Sequence, residues 1–346
     1  MARTPTQRQV YADLLERYGK SVADAFFAAV DDLRSAAEVQ RVIAAYAAGN
    51  IEAALAALHI DAAVYGDLLD QIQRAYTEGG RAALEGLPAR GANGAALVIR
   101  FDARNPAAES WLRNYAAQLV TRIVADQRDA IRASLTASMA RGDNPRRAAL
   151  DIVGRINPAT GKREGGILGL TTAQEGYVRS ARNELSGADA TGLRNYLTRQ
   201  RRDRRFDRSV AKAVREETAL PPEIAAKAIN AYERRLLQLR GETIGRVEAM
   251  TALQHAKRRA FEQAIASGQI AESAVRKAWR SAGYGRVRHT HVMLNGDSAA
   301  FNEPFVSSSG ARMQHPMDTS LGAGAAEIIN CRCDCDYRVD FLANLT

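Results

Sequence analysis

The last residues of the chain form an alternating sequence, INCRCDCDYRVDF (residues 329–341), which decides how its C-terminal part is expected to fold. Cysteine, aromatic and apolar side chains occupy every second position from Cys331, and charged side chains fill all the positions between them up to Phe341. A period of two is typical of a β-strand that buries one face. The cysteines are therefore predicted to face a core together with Tyr337 and Val339.

A partner for this strand is predicted a short distance upstream. Asn295-Gly296-Asp297 lies between two apolar runs, and Asn-Gly in that position is a strong β-hairpin signal. We expect residues 287–294 to form a strand that pairs with residues 329–341. Residues 279–341 would then fold as a small α+β domain.

All three cysteines of the chain, Cys331, Cys333 and Cys335, lie in this last strand. Two residues apart on an extended strand, cysteines have Cα atoms about 6.5 Å apart and parallel side chains, which is poor disulfide geometry. The N-terminus also lacks the apolar core of a signal peptide. Synthesis in a reducing cytoplasm with free thiols or metal ligands is therefore expected.

The cysteines and two nearby histidines could form a metal site. Pairing of the two predicted strands would bring His289 and His291 to Cys331 and Cys333 as a Cys₂His₂ zinc site. The spacing argues against zinc, because structural sites usually use Cys-x₂₋₄-Cys turns and an extended Cys-x-Cys holds its sulfurs apart. A metal-free core of cysteines and hydrogen-bonded histidines is favoured, so that no cofactor is expected and zinc is the alternative.

The sequence before the C-terminal residues 271–346, which we call the tail, is alanine-rich, and its apolar residues have a helical spacing. Apolar residues recur at three- and four-residue spacing, and Asn105-Pro106, Asn144-Pro145 and Pro221-Pro222 are typical helix starts. Gly79-Gly80 and Arg240-Gly241 are predicted helix ends. The fold class that follows is mainly α, with an elongated multi-helix body and a small C-terminal α+β domain.

Three consecutive regions are predicted from these patterns. They are an N-terminal helical region (1–88), a helical body (95–270) and the C-terminal α+β domain (271–346). The hydrophobic content of 46% is sufficient for real cores. Since no apolar run approaches the roughly 18 residues of a spanning helix, no membrane partner is expected.

The positive charge of the chain is concentrated in one segment. Residues 190–260 hold 17 basic and 8 acidic residues, whereas the regions before and after are nearly balanced, so this segment supplies the net charge of +9. Its densest part is a run of arginines, and a basic cluster follows on the next helix. The predicted DNA-binding residues are Arg199, Arg201, Arg202, Arg204, Arg205, Arg208, Lys257, Arg258 and Arg259. Polyphosphate is the usual complement of such a patch, and a solvated helix face with Arg–Asp pairs is the alternative.

Several motifs resemble those of bacteriophage head morphogenesis proteins. In the body these are Asn105-Pro106 to Trp111, Gly169-Leu170-Thr171 and Gly245-Arg246-Val247-Glu248. The tail is the more specific part and is similar to the closing domain of the Mu F-like minor head proteins. The tail motif residues are Trp279, Arg288, His291, Gly296, Pro316, Asp318, Asn330, Cys331 and Cys333.

The resemblance implies a low-copy virion protein without enzymatic activity. Such a protein is made in the cytoplasm of the host bacterium and lies in the capsid interior near the portal. The implied partners are the portal protein, the major capsid or scaffold proteins and packaged double-stranded DNA, with a role in head assembly and in DNA packaging or delivery.

Two other classes are weighed against this one. A metal-dependent nuclease would use residues such as His291, Asn302 and His315 to hold an ion and activate water, but their spacing fits no such motif well and no carboxylate cluster accompanies them. A cellular DNA-binding protein would explain the arginines and leave the tail unexplained. The phage structural protein is the class that accounts for both.

Overall fold

The computed structural model describes residues 6–88, 90, 96–187, 189–283, 285 and 287–341. This part of the chain is mainly helical, with short strands concentrated towards the C-terminus, so the predicted mainly α fold with a small strand-containing C-terminal region is confirmed. The helices are α1 (Gln7–Ala36), α2 (Val39–Ala47), α3 (Ile51–Ala56), α4 (Gly66–Leu84), α5 (Pro106–Ala140), α6 (Pro145–Val153), α7 (Thr172–Ser186), α8 (Ala190–Thr198), α9 (Asp207–Glu216), α10 (Pro222–Ala266), α11 (His289–Met293) and α12 (Ala325–Ile328). The strands are β1 (Arg155–Ile156), β2 (Arg163–Glu164), β3 (Val275–Arg280), β4 (Ser298–Ala300), β5 (Phe305–Val306), β6 (Arg312–Met313) and β7 (Asp334–Val339).

Helix starts follow local capping chemistry. The Asn144 side chain accepts hydrogen bonds from the backbone N–H groups of Arg146 and Arg147, and Pro145 occupies the first helical position of α6. Helix α7 begins with a capping box in which Thr171 and Gln174 bond each other's backbone N–H. The predicted start of α6 is thus confirmed together with its cap, and α5 and α10 also begin at predicted prolines, Pro106 and Pro222.

The prediction that helices end at Gly79-Gly80 and at Arg240-Gly241 is wrong. Helix α10 runs for 45 residues straight through Arg240-Gly241, and α4 continues past Gly79-Gly80 to Leu84. A Cβ at Gly241 would lie 2.3 Å from the Phe27 ring, and one at Gly80 would lie 2.2 Å from the Phe101 ring. These glycines allow close packing within a helix that does not end there.

Backbone contacts divide the chain into two compact units. The first contains Met1–Phe26, Asp67–Ala116 and Glu242–Thr346, and the second contains Phe27–Gly66 and Ala117–Gly241. Helices α1, α5 and α10 each have residues in both units. The segments of each unit are thus discontinuous along the chain, and the three consecutive regions drawn from the sequence stay a prediction.

The first unit contains a three-stranded antiparallel sheet of order β4-β3-β7. Trp279 on β3 pairs with Cys335 on β7, and Lys277 pairs with Tyr337. The Trp279 side chain is fully buried, and Tyr337 stacks on Phe261 of α10 with ring centroids 4.7 Å apart. The sheet therefore packs its apolar face on the C-terminal half of α10.

The predicted pairing of residues 287–294 with the last strand is wrong. Residues 289–293 form helix α11, and β7 pairs with β3 instead. The alternation of His289 and His291 covers too few residues to separate a strand from a single helical turn. The predicted turn does exist at Asn295-Gly296, where Gly296 has a φ of +97° and its N–H donates to the Trp279 carbonyl at 2.9 Å.

The last strand also begins later than predicted. Strand β7 starts at Asp334, and Asn330 before it has a φ of +59°, so that Cys331 and Cys333 lie in an irregular segment. From Cys335 to Val339 the predicted alternation of inner and outer side chains holds broadly. In the part of the chain that the structure describes, no helix has both the length and the apolar character needed to cross a membrane.

Candidate functional site

Three side chains of the first unit converge on one buried point. The His291 Nδ1 atom lies 3.4 Å from Cys331 Sγ and 3.5 Å from Cys333 Sγ. All three ligand atoms lie within 4.8 Å of one another, and all three residues are buried. Imidazole nitrogen and thiolate sulfur are the donors that Zn²⁺ prefers, so this His–Cys–Cys cluster has the chemistry of a metal site.

Several contacts fix the geometry of this cluster. The Arg288 guanidinium donates a hydrogen bond to the Ile329 carbonyl, which ties the start of α11 to the segment before β7. The Trp279 ring packs edge-to-face on the imidazole of His291 with centroids 5.0 Å apart. Cys333 N–H donates to Cys331 Sγ at 3.4 Å. The irregular segment therefore turns both sulfurs towards the same imidazole.

Glu327 on α12 holds the other nitrogen of the histidine. Its Oε2 lies 2.7 Å from His291 Nε2, and the carboxylate accepts hydrogen bonds from Ser309 at 2.6 Å and Thr290 at 3.1 Å. Burial works to raise the pKa of the Glu327 carboxyl, but these hydrogen bonds and the His291 contact hold it below its ordinary value. The carboxylate thus stays ionised and orients the ring.

The two sulfurs differ in acidity. The hydrogen bond with Cys331, aided by His291 and opposed by burial, lowers the pKa of the Cys333 thiol to about 5. The same sulfur contact and burial raise the pKa of Cys331 well above its ordinary value. One thiolate is therefore favoured in the cluster, and the thiolate is the form that binds metals.

Two sequence predictions about the site need correction. His289 is exposed and outside the cluster, because α11 turns successive side chains by about 100° and separates it from His291. Glu327 was missed, since a single acidic residue in the alanine-rich segment at 325–327 carries no pattern that distinguishes it from a surface carboxylate. His291, Cys331 and Cys333 are brought together as predicted, although not by strand pairing.

Two other tail motif residues, Asn330 and Asp318, form hydrogen bonds that hold local structure in the first unit. The Asn330 side chain accepts a hydrogen bond from Arg246 at 2.8 Å. The Asp318 carboxylate accepts hydrogen bonds from the backbone N–H groups of Gln314 at 2.7 Å and Ser320 at 2.8 Å, which closes the loop around Pro316. Asp318 therefore shapes a loop that is separate from the His–Cys–Cys cluster.

That loop borders a cavity of about 400 Å³ in the first unit. Its walls include His255, which stacks on Trp111 at 3.8 Å between ring centroids, and the edge of His315. Trp111 and Tyr76 partly cover the half-buried His255 ring. Burial lowers the pKa of His255 well below its ordinary value and that of His315 to about 4, so both rings are neutral near pH 7.

The residues of the nuclease alternative do not form one ligand set. His291 belongs to the His–Cys–Cys cluster, His315 Nδ1 faces the Pro316 carbonyl at 2.8 Å, and the Asn302 side chain accepts a hydrogen bond from Arg258. Among the described residues, the grouping of His, Cys, Asp and Glu side chains that could hold an ion is the His–Cys–Cys cluster.

The arginine run lies in the second unit and divides into two sets. Arg199 pairs with Glu184 at 2.7 Å, and Arg202 pairs with Asp207 at 2.9 Å. Arg205 pairs with buried Asp203, lowering the pKa of that carboxyl to about 2. The second set, which we call the open arginines, is exposed and has no ion pair among the described residues: Arg201, Arg204 and Arg208.

The prediction that the basic cluster on α10 binds DNA is wrong for Lys257, and it stays a prediction for Arg258 and Arg259, which are partly exposed. The Lys257 side chain is fully buried and pairs with Asp334 at 2.8 Å. Arg258 is mostly buried and donates to the Phe301 carbonyl at 3.0 Å, and Arg259 pairs with Glu262. Lys257 and Arg258 thus contact the C-terminal sheet and its loops, whereas the partner of Arg259 lies on α10 itself.

No protein-family model, curated protein or solved structure matches this chain. The likeness to phage head proteins therefore rests on the motif residues themselves, and the site is interpreted from its own geometry.

Proposed function

We propose that this chain is a minor head protein of a bacteriophage, which associates with the portal and with packaged DNA and has no enzymatic activity. The observation that supports this proposal best is the convergence of the motif residues. Trp279, His291, Cys331 and Cys333 are spread over more than fifty positions and meet in one buried cluster. Convergence in a core is what a shared folding motif requires, and it favours a structural role over a reactive one.

The open arginines support the DNA part of the proposal. Arg201, Arg204 and Arg208 are exposed close together in sequence, and they belong to the same segment that supplies the net charge. Exposed guanidinium groups bind phosphate strongly, and such contacts carry no base specificity. The binding should therefore be independent of sequence and should weaken steeply with salt.

The DNA contact can be tested with a matched pair of triple variants. Arg201→Glu/Arg204→Glu/Arg208→Glu should weaken binding to a random duplex and reduce the slope of log K against log salt by about 1 for each phosphate that an arginine no longer neutralises. The control is Arg113→Glu/Arg122→Glu/Arg146→Glu, which alters exposed arginines outside the run and changes net charge equally. Gel shift and fluorescence anisotropy over a salt series measure both. Equal weakening in the two variants would contradict a local site.

The portal contact needs a separate experiment. Co-expression with the portal protein encoded in the same phage genome should give a complex that copurifies after nuclease treatment. Deletion of the gene should lower infectious yield while capsids still form. A portal that is not retained, at any salt concentration that keeps both proteins folded, would contradict this part of the proposal.

The enzymatic alternative predicts that the protein cleaves DNA, whereas the structural proposal predicts no cleavage. Purified protein incubated with supercoiled DNA and Mg²⁺, Mn²⁺ or Zn²⁺ should leave the DNA intact. Cleavage that depends on the divalent ion and disappears in His291→Ala or His315→Ala would replace the structural proposal with a nuclease.

A further inference from the structure

We propose that His291, Cys331 and Cys333 bind one Zn²⁺ ion, through Nδ1 and the two sulfurs, and that this ion holds the C-terminal segment in place. The inference concerns the folding of the first unit and stands independently of the head-protein proposal. It also reverses the expectation of a metal-free core that follows from the Cys-x-Cys spacing alone.

The objection from spacing does not apply to the observed backbone. It assumed that Cys331 and Cys333 lie on an extended strand with sulfurs held apart. The strand begins at Asp334, and the irregular segment before it, with Asn330 in the left-handed region, turns both sulfurs towards His291. This segment brings the sulfurs together in the way that a Cys-x₂₋₄-Cys turn does in other zinc sites.

The interatomic distances match a tetrahedral ion. With Zn–S near 2.3 Å and Zn–N near 2.05 Å, a tetrahedral angle separates nitrogen and sulfur by about 3.6 Å. The observed separations from His291 Nδ1 are 3.4 Å and 3.5 Å. One ring nitrogen has either one lone pair or one N–H, so a hydrogen bond accounts for only one of these contacts. An ion between the three atoms accounts for both.

The surroundings are those of a metal-bound histidine and thiolate. Ligating histidines usually place their second nitrogen against a carboxylate, and His291 Nε2 lies 2.7 Å from Glu327. That carboxylate is itself hydrogen-bonded by Ser309 and Thr290. The Cys333 N–H donates to Cys331 Sγ, which would offset part of the charge of a bound thiolate.

Glu327 contacts the side of the imidazole that faces away from the ion, so this carboxylate orients the ligand, as carboxylates beside metal-bound histidines do. Three protein donors leave the fourth corner to a water molecule or another small ligand. The ion would join α11 to a segment 40 and 42 positions further along the chain, closing a long loop.

The test uses the full chain, purified without a polyhistidine tag from cells grown with added zinc. Elemental analysis should give about one zinc per chain, and Co²⁺ replacement should give thiolate-to-cobalt charge-transfer absorption. His291→Gln, Cys331→Ser and Cys333→Ser should each lose the metal. Cys335→Ser is the matched control, because this cysteine is buried on β7 outside the cluster and its variant should keep the metal.

Chelation separates metal loss from failure of a variant to fold. A chelator added to the wild type should lower its thermal midpoint and expose the C-terminal segment to protease, and Zn²⁺ should restore both. Wild-type protein that has no zinc as purified and shows no charge-transfer band with Co²⁺ would overturn the inference. Retention of a full zinc equivalent by folded Cys331→Ser and Cys333→Ser would overturn it as well, since the ion would then lie elsewhere.

Discussion

Lys257 illustrates how burial changes the role of a charged residue. Its ammonium group donates hydrogen bonds to Asp334 at 2.8 Å and to the Cys335 carbonyl at 3.0 Å, and it lies 3.6 Å from the centroid of the Tyr11 ring. A buried cation is tolerated only when such partners replace water. The pair thus fixes the start of β7 on α10.

Removing one member of this pair should be more damaging than removing both. Lys257→Met leaves the Asp334 charge buried without its partner and should lower the free energy of unfolding by about 3–5 kcal/mol. Lys257→Met/Asp334→Leu should recover part of that stability. Urea denaturation measures the free energy of unfolding of the wild type, the single variant and the double variant. The control is Lys212→Met, which removes one member of an exposed pair and should change the free energy of unfolding by about zero. A double variant less stable than the single one would contradict this account.

His315 should make the first unit sensitive to acid. Burial, with Arg258 and Lys277 nearby and Asp318 opposing them, lowers its pKa to about 4. The unfolded residue titrates near 6.5, so the unfolded state binds more protons between these two pH values. The contribution of neutral His315 is complete above about pH 6.5 and disappears as the pH falls to about 4, at a cost on the order of 3 kcal/mol.

The matched variant for this prediction is His315→Gln, which keeps a polar group and cannot titrate. Between pH 7 and pH 4.5 the free energy of unfolding of the wild type should fall by about 2–3 kcal/mol more than that of the variant. His255 is present in both proteins, and burial, the largest cause of its lowered pKa, acts on it in both. Parallel pH profiles would show that folding does not lower the pKa of His315 and would contradict the prediction.

Among the elements, α10 depends on a close crossing with α1 inside the first unit. A Cβ at Gly245 would lie 2.1 Å from the Gly19 carbonyl oxygen and 2.9 Å from the Cβ of Ala23. Real Cβ atoms do not approach backbone so closely, so the helices can cross here only because Gly245 has no side chain. This gives a physical reason for a glycine in the Gly245-Arg246-Val247-Glu248 motif.

Gly245→Ala should therefore destabilise the protein despite the higher helix propensity of alanine. The two helices must separate, at a cost of about 1–3 kcal/mol. Gly176→Ala is the control, because Gly176 lies within α7 with open space around it and should gain about 0.5–1 kcal/mol. Thermal unfolding of both variants gives the comparison, and equal stabilisation would contradict the close crossing.

The elements that the sequence predicted well are those fixed by neighbouring residues. The starts of α5, α6 and α10 depend on an asparagine or proline at the first turn, and such chemistry is visible locally. The continuation of α10 through Gly241 depends on Phe27, which is distant in sequence. Similarly, chemistry alone singles out His291 and the two cysteines, whereas Glu327 can be recognised only once the fold places it against the imidazole.

At the scale of the whole molecule, the C-terminal sheet depends on residues far from the tail. Asp334 of β7 pairs with Lys257 of α10, and Tyr337 of β7 stacks on Phe261 of α10. The same core includes Ala83 and Leu84 of α4. The sheet is thus one wall of the first unit and has no complete core of its own.

A fragment of residues 271–346 should consequently fail to fold in isolation. Without α10 it leaves Asp334 unpaired and exposes the apolar face of β3 and β7, and equimolar Zn²⁺ should not rescue it. Circular dichroism on heating should show no cooperative transition, while the full chain gives one. A cooperative transition in the fragment would contradict the dependence on α10.

The discontinuity of the first unit also has a consequence for biosynthesis. Tyr11 and Leu14 of α1 pack with Ala82 and Leu253, so two residues from the beginning of the chain need one that is made about 240 residues later. At roughly 5–20 residues per second, translation delays that contact by about 10–50 seconds. The second unit, complete at Gly241, leaves the ribosome first, and during this interval the apolar face at the start of α1 is exposed to the chaperones of the cell.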